Sequence, residues 1–263
     1  MYAGVPAAME AFRAAQEVID GYQQEGHPTH GRPAAFTLHH CLSARSFRPL
    51  WMLEELGLPY RLQMLPFPPR ALAREYLEIN PLGTVPAFRD GELLMTESAA
   101  ICEYLARRYG PTPLNVEVDE SDFGAWLNWL HFGEATLTFP QTLLLRYGRF
   151  EPEERRQPQV VEDYTRWFLG RLRGVDAALQ HGDYLCAGRF TAADISVGYA
   201  LMLAAYLGLE AQFPPAVRAY WQRLQSRAAF QRALAAQENA AREQGVDPTP
   251  APLTAPPAAG DAR

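Results

Sequence analysis

The sequence predicts an α/β domain of order βαβαββα followed by an all-α domain, and three observations carry that prediction. Residues 80–105, NPLGTVPAFRDGELLMTESAAICEYL, contain two short apolar runs, 85–89 and 92–95, joined by Asp90-Gly91. Asp-Gly between such runs is a strong hairpin signal, because a two-residue type I′ turn needs positive φ. The segments ahead of this stretch read as strand, helix, strand and short helix. Beyond residue 118 no convincing strand pattern appears, only long runs at helical spacing, which calls for a separate helical domain.

Taken in order, residues 1–34 form an extension. Met9, Phe12, Val18, Ile19 and Tyr22 have helical spacing until Gly26-His27-Pro28 and Gly31-Arg32-Pro33 break it, and the segment is expected to be mobile. The first domain spans 35–110. It opens on a strand at 35–40 and a helix at 46–56 stopped by Gly57. A strand with clean alternation follows at 60–65, then a turn at 66–69 and a short helix at 71–77. Pro86 removes one ladder donor at the start of the hairpin, as at a sheet edge or bend. Thr96-Glu97-Ser98 suit the opening of a helix that carries Ile101, Tyr104 and Leu105 and ends at Gly110-Pro111.

Residues 111–118 read as a linker, and 119–240 as the helical domain. Its first helix, near 122–147, carries Trp126, Leu127, Trp129 and Leu130 and is expected to kink at Pro140. A second long helix covers 153–181. Thr191 and Asp194 then form a capping pair with Phe190 as hydrophobic staple, a structural role. Helices near 214–227 and 229–242 close the domain. Residues 241–263 are rich in proline and alanine without periodicity, so a disordered tail is expected.

Composition narrows the function. A net charge of −6 argues against a nucleic-acid or membrane-surface role, and 48% hydrophobic residues allow a substantial core. Every one of the 24 basic residues is arginine. Cys41, Cys102 and Cys186 are sparse and widely spaced, without metal-ligand spacing, which suits a reducing cytoplasm and no metal. Neither a secretory signal nor a membrane-length apolar run is present, so a cytoplasmic location is expected.

The chemistry centres on the Val85-Pro86 corner. With a cis bond there, Val85 turns its N–H and C=O outward, free to pair with an extended peptide. The helix start at Glu97-Ser98 offers unpaired N–H groups and a positive dipole end to a carboxylate. A ligand with a peptide-like middle and a terminal carboxylate fits both.

These residues, Asn80-Pro81-x-Gly83-x-Val85-Pro86, a hairpin, then Glu97-Ser98-x-Ala100-Ile101, resemble the glutathione-binding half of the cytosolic glutathione S-transferases, bacterial type. Phe190-Thr191-x-x-Asp194 is similar to a hallmark of the same family. The resemblance covers roughly 35–240 and is looser in its second half. It implies a thioredoxin-like first domain, glutathione as co-substrate, a cis Pro86, Val85 pairing with the cysteinyl backbone, and Glu97 and Ser98 holding the γ-glutamyl end. It also implies a homodimer and a role in detoxification.

In that family one residue just after the first strand activates the thiol, and in its serine and cysteine classes that residue lies fourteen positions before the glycine ending the first helix. Counting back from Gly57 places it at Ser43. A hydroxyl aimed at sulfur favours the thiolate. Ser46 or a backbone N–H stays open as the alternative, because many relatives carry serine where this chain has Ala44. Arg45 is open as a source of positive potential or as a solvated charge, and Arg70 and Arg74 as partners of the glycyl carboxylate. Cys41, His39 and His40 suit packing roles. Trp126, Trp129, Phe132, Phe139 and Tyr147 imply a small hydrophobic electrophile. Two other readings are a non-catalytic binding or scaffold protein of the same fold, and a thiol–disulfide reductase working through Cys41.

Overall fold

The computed structural model describes residues 36–254; the extension at 1–34 and the end of the chain from 255 lie outside the described residues. β1 (Phe36–His40) and β2 (Tyr60–Met64) pair in parallel through α1 (Phe47–Leu56). Gly57, at φ +62°, ends α1 as expected of a left-handed stop. A single helical turn, α2 (Pro69–Leu72), and a 3₁₀ turn (Arg74–Glu78) replace the one short helix predicted at 71–77. The hairpin of β3 (Ala87–Asp90) and β4 (Leu93–Met95) completes a sheet of order β2-β1-β3-β4, and α3 (Ser98–Arg108) closes the βαβαββα unit. This is the thioredoxin-like arrangement.

The hairpin turn lies one residue later than predicted. Asp90 is still paired, opposite Leu93, so the loop is Gly91-Glu92. Only Gly91, at φ +58°, has positive φ, which rules out type I′. The reason is tertiary: the Asp90 carboxylate accepts hydrogen bonds from the hydroxyls of Tyr104 (2.6 Å) on α3 and of Tyr109 just past its end, and is held to the strand.

The helical part begins with α4 (Phe123–His131), a π-helical stretch (Phe132–Thr138) and α5 (Phe139–Leu145), followed by a second π-helical stretch (Arg146–Phe150). A break was expected at Pro140; the irregularity instead covers the turns before it. Within that stretch Gly133 packs against a neighbouring helix. A Cβ there would lie 2.4 Å from Ser196 Oγ, so only glycine lets the helices touch. The partner is α7 (Ala192–Tyr206), buried along almost its whole length. Thr191 and Asp194 form the predicted capping box, with the Thr191 N–H 2.8 Å from Asp194 Oδ2, an arrangement worth about 0.5–2 kcal/mol. α6 (Pro158–Leu179), α8 (Pro215–Gln225) and α9 (Ala228–Glu243) complete the bundle.

One core runs through both parts. Trp51 of α1 lies 4.9 Å from Phe230 of α9 and 5.8 Å from Phe190, ring centre to ring centre. Phe190 therefore packs across to α1, a wider role than the local staple predicted. The expected disordered tail is also corrected over 241–254. Gln244 is clasped to the edge of β2, accepting from the Met64 N–H at 2.9 Å and donating to Leu62 O at 2.8 Å. Ala251 is 3% exposed, in a final 3₁₀ turn (Ala251–Leu253). Proline-rich chain needs little ordering entropy to lie extended on a surface, and no periodicity announces it.

Candidate functional site

The Val-Pro corner is built by Asn80, which is 2% exposed. Its Oδ1 accepts from Leu82 N–H at 3.2 Å and its Nδ2 donates to Thr84 O at 2.8 Å, where the Tyr76 hydroxyl also donates at 2.7 Å. Gly83 takes φ +59° with Arg70 Cβ pressed against its missing side chain. The loop is thus clamped from both sides and delivers Val85 in a fixed orientation. The Val85–Pro86 bond is cis. Neither the N–H nor the C=O of Val85 has a hydrogen-bond partner among the described residues. Nearby, α3 opens with Glu97 exposed and with no side chain capping it, leaving the N–H groups of its first turn available to an anion.

Ser43 follows β1 as predicted, at φ +56°, but its hydroxyl does not face open space. The residue is wholly buried. Its N–H donates to Gln237 Oε1 at 2.9 Å, which fixes the amide of Gln237: oxygen toward Ser43 N and His40 Nε2 (2.9 Å), nitrogen toward Ser43 Oγ (3.2 Å). Ser43 Oγ therefore accepts from Gln237. Its own proton has one partner left among the described residues, the Tyr206 hydroxyl at 3.1 Å. With Ser43 donating to it, Tyr206 keeps a free O–H, and Tyr206 is only half-buried. The three side chains thus form a line of hydrogen bonds, Gln237 to Ser43 to Tyr206.

The same network holds His40 neutral. Burial lowers its imidazole to about 4, against the Gln237 hydrogen bond, which raises it. An unfolded imidazole titrates near ~6.5, so between those values the folded state binds fewer protons than the unfolded one. The contribution to stability is complete above about pH 6.5 and is lost as pH falls toward 4. His40→Gln is expected to flatten denaturant-measured stability across that window relative to the parent; equal slopes for the two proteins would refute it.

Arg48 is the structural centre between the two parts. Fully buried, it donates to Ser196 O (3.1 Å), Ser98 Oγ (3.1 Å), Gly133 O (3.2 Å), Thr138 Oγ1 (2.7 Å) and the Glu134 carboxylate. The Gly133 carbonyl that it uses lies in the π-helical stretch and also accepts from Thr138 Oγ1 at 2.7 Å. Arg45 pairs with the same carboxylate at 2.6 Å, so it is neither a solvated charge nor a free one. Burial opposes ionisation of Glu134, but the two guanidinium groups prevail and hold its carboxyl below the usual value. Arg48 thereby ties Ser98, at the mouth of α3, to the helical part.

The remaining candidates separate clearly. Cys41 is fully buried, its Sγ 3.7 Å from Pro66 O, and burial pushes its thiol far up, away from thiolate chemistry. Ser46 Oγ is buried without a partner among the described residues. Arg70 and Arg74 are exposed and make no ion pair among the described residues. Trp126 is core, whereas Trp129, Phe132 and Tyr147 are half-buried and Phe139 is 57% exposed. A shallow depression of about 400 Å³ is lined only by helical residues such as Leu127, His131 and Phe132, so it does not lie between the two parts. Asn80 belongs to the motif read from the sequence, whereas Arg48, Gln237 and Tyr206 carry no pattern of their own; a lone arginine on the apolar face of α1 is the one available signal.

The family model for the glutathione S-transferase N-terminal domain matches residues 42–108. Glutathione S-transferase 3 of Schizosaccharomyces pombe is 29% identical over 170 residues, covering 60% of this chain and 69% of the relative. Glutathione S-transferase 1 of Triticum aestivum is 28% identical over 211 residues, covering 70% and 86%. Among solved structures, the theta class glutathione S-transferase of Xanthomonas axonopodis pv. citri with glutathione bound superposes with a TM-score of 0.66. It is 27% identical and covers 77% of this chain and 98% of its own. In sequence and fold the chain is similar to glutathione S-transferases. BphK, a bacterial glutathione S-transferase solved as a ternary complex, gives a TM-score of 0.67 at 28% identity, over 76% and 98% of the two chains. In this chain the Val85 corner, the mouth of α3 and the loop after β1 form the candidate site. No helix among the described residues is long and apolar enough to cross a membrane.

Proposed function

We propose that this protein is a glutathione transferase whose Val85 main chain pairs with the cysteinyl backbone of glutathione, beside Pro86. The first-turn N–H groups of α3, with Glu97 and Ser98, take the γ-glutamyl end. The carrying observation is the unpaired Val85 main chain set by a clamped loop next to an uncapped helix start. Of the two hydroxyls near the loop with a proton to spare, Ser46 is buried and Tyr206 is half-buried, and Ser43 positions Tyr206. The thiolate then attacks a small hydrophobic electrophile. Ionisation and positioning are the whole task asked of the protein.

A homodimer working in the cytoplasm follows from the family resemblance. The reductase reading is disfavoured by the burial of Cys41. The scaffold reading is separated by turnover: conjugation of glutathione to a generic aryl halide is expected, and Cys41→Ser is expected to leave the rate within about twofold. Glutathione binding without conjugation of any electrophile in a panel would favour the scaffold, and loss of turnover in Cys41→Ser would favour the reductase.

A further inference from the structure

Residues 247–254 lie along the candidate peptide groove. The Ala251 N–H donates to Leu42 O at 2.7 Å, a main-chain bond to the residue just before Ser43. Ala251 itself is buried in one apolar cluster with Cys41, Ala44, Leu65, Val85 and Ala87. With the segment seated, Ala44 and Val85 are only 8% and 9% exposed. Pro250 (φ −53°, ψ +133°) and Thr254 (φ −63°, ψ +146°) have near-polyproline backbone, the extended form a peptide ligand would also take. Asp247, Thr249 and Thr254 roof a cavity of about 390 Å³ over Leu42, Leu65 and Phe67, and Asp247 is the one charged group on its wall. At its base the segment is tethered by Arg149, which donates to Pro252 O at 2.9 Å and lies toward Tyr206 O at 3.5 Å.

We propose that residues 247–254 are a built-in competitor for the groove, an extended segment that must leave before a peptide-like ligand carrying a carboxylate can lie against Val85. The inference rests on the glutathione site assigned above. Two chains cannot both cover the Val85 and Ala44 floor, and a carboxylate entering the cavity meets the like charge of Asp247. A seated segment lowers apparent affinity by the fraction of time the groove is free, so a segment docked nine-tenths of the time weakens binding about tenfold.

The test is calorimetric titration of glutathione into the full-length protein and two full-length variants. Arg149→Ala removes the tether, and Ala251→Glu places a charge in an apolar cluster that the segment can only relieve by leaving. Both are expected to bind glutathione several-fold to about tenfold more tightly, and hydrogen exchange of 247–254 is expected to speed up when glutathione binds the parent protein. Unchanged or weaker binding in both variants, with the parent still binding, overturns the competitor and leaves the site standing. No binding by parent or variants overturns the site and the competitor together.

Discussion

Arg48→Ala is expected to destabilise the protein by about 3–5 kcal/mol, the cost of breaking a buried charged network from one side. Arg48 is wholly buried, and its donors serve two carbonyls, two hydroxyls and a carboxylate from three separate segments. Removing it strands those acceptors and opens a cavity over Tyr199, whose ring lies 4.4 Å from the guanidinium. Arg48→Lys is expected to recover only part of the loss, because an ammonium cannot reproduce a planar fork. Arg45→Ala is the control. Its side chain is 34% exposed and shares only Glu134 and Thr142, so about 1 kcal/mol or less is expected. Urea midpoints with unchanged slope provide the comparison, and equal effects for Arg48→Ala and Arg45→Ala would refute the ranking.

The second large effect falls on the thiol. Tyr206→Phe removes the hydroxyl with the free proton and is expected to reduce kcat/KM at neutral pH by about 10- to 100-fold, the thiolate lost when the bound thiol rises by about two units. Ser43→Gly is expected to do nearly the same. Glycine is the better probe than alanine here, since position 43 sits at φ +56°, where alanine would add backbone strain. If Ser43 acts only through Tyr206, the double variant loses little more than either single one. Full additivity, or a rate unaffected by Tyr206→Phe, would place the sulfur's partner elsewhere, with Ser46 the next candidate.

Local signals carried much of this fold. Alternation in 60–65, Gly57 as a helix stop, the capping pair Thr191 and Asp194 and the Asn80-to-Pro86 loop are all written in adjacent residues, and each took the predicted form. What pattern could not show depended on partners far along the chain. The hairpin turn lies one residue later because Asp90 is gripped by Tyr104 on α3 and Tyr109 just past its end. The hydroxyl of Ser43 is turned inward by Gln237, 194 residues away, and nothing near position 43 announces that. Arg48 reads as an oddity on an apolar helix until Gly133 and Glu134 fold over it. The segment at 247–254 looked disordered because proline-rich chain has no period, although it needs only a groove to become ordered.

The claim beneath all of this is that the Val85 corner and the loop after β1 hold glutathione with its sulfur ionised. Ultraviolet titration of the thiolate of bound glutathione addresses it directly. A free thiol of this kind has a pKa near ~8.5, and the bound one is expected about two units lower, near 6–7, rising toward the free value in Tyr206→Phe. A bound thiol that titrates like the free one, in a protein saturated with glutathione, would contradict it.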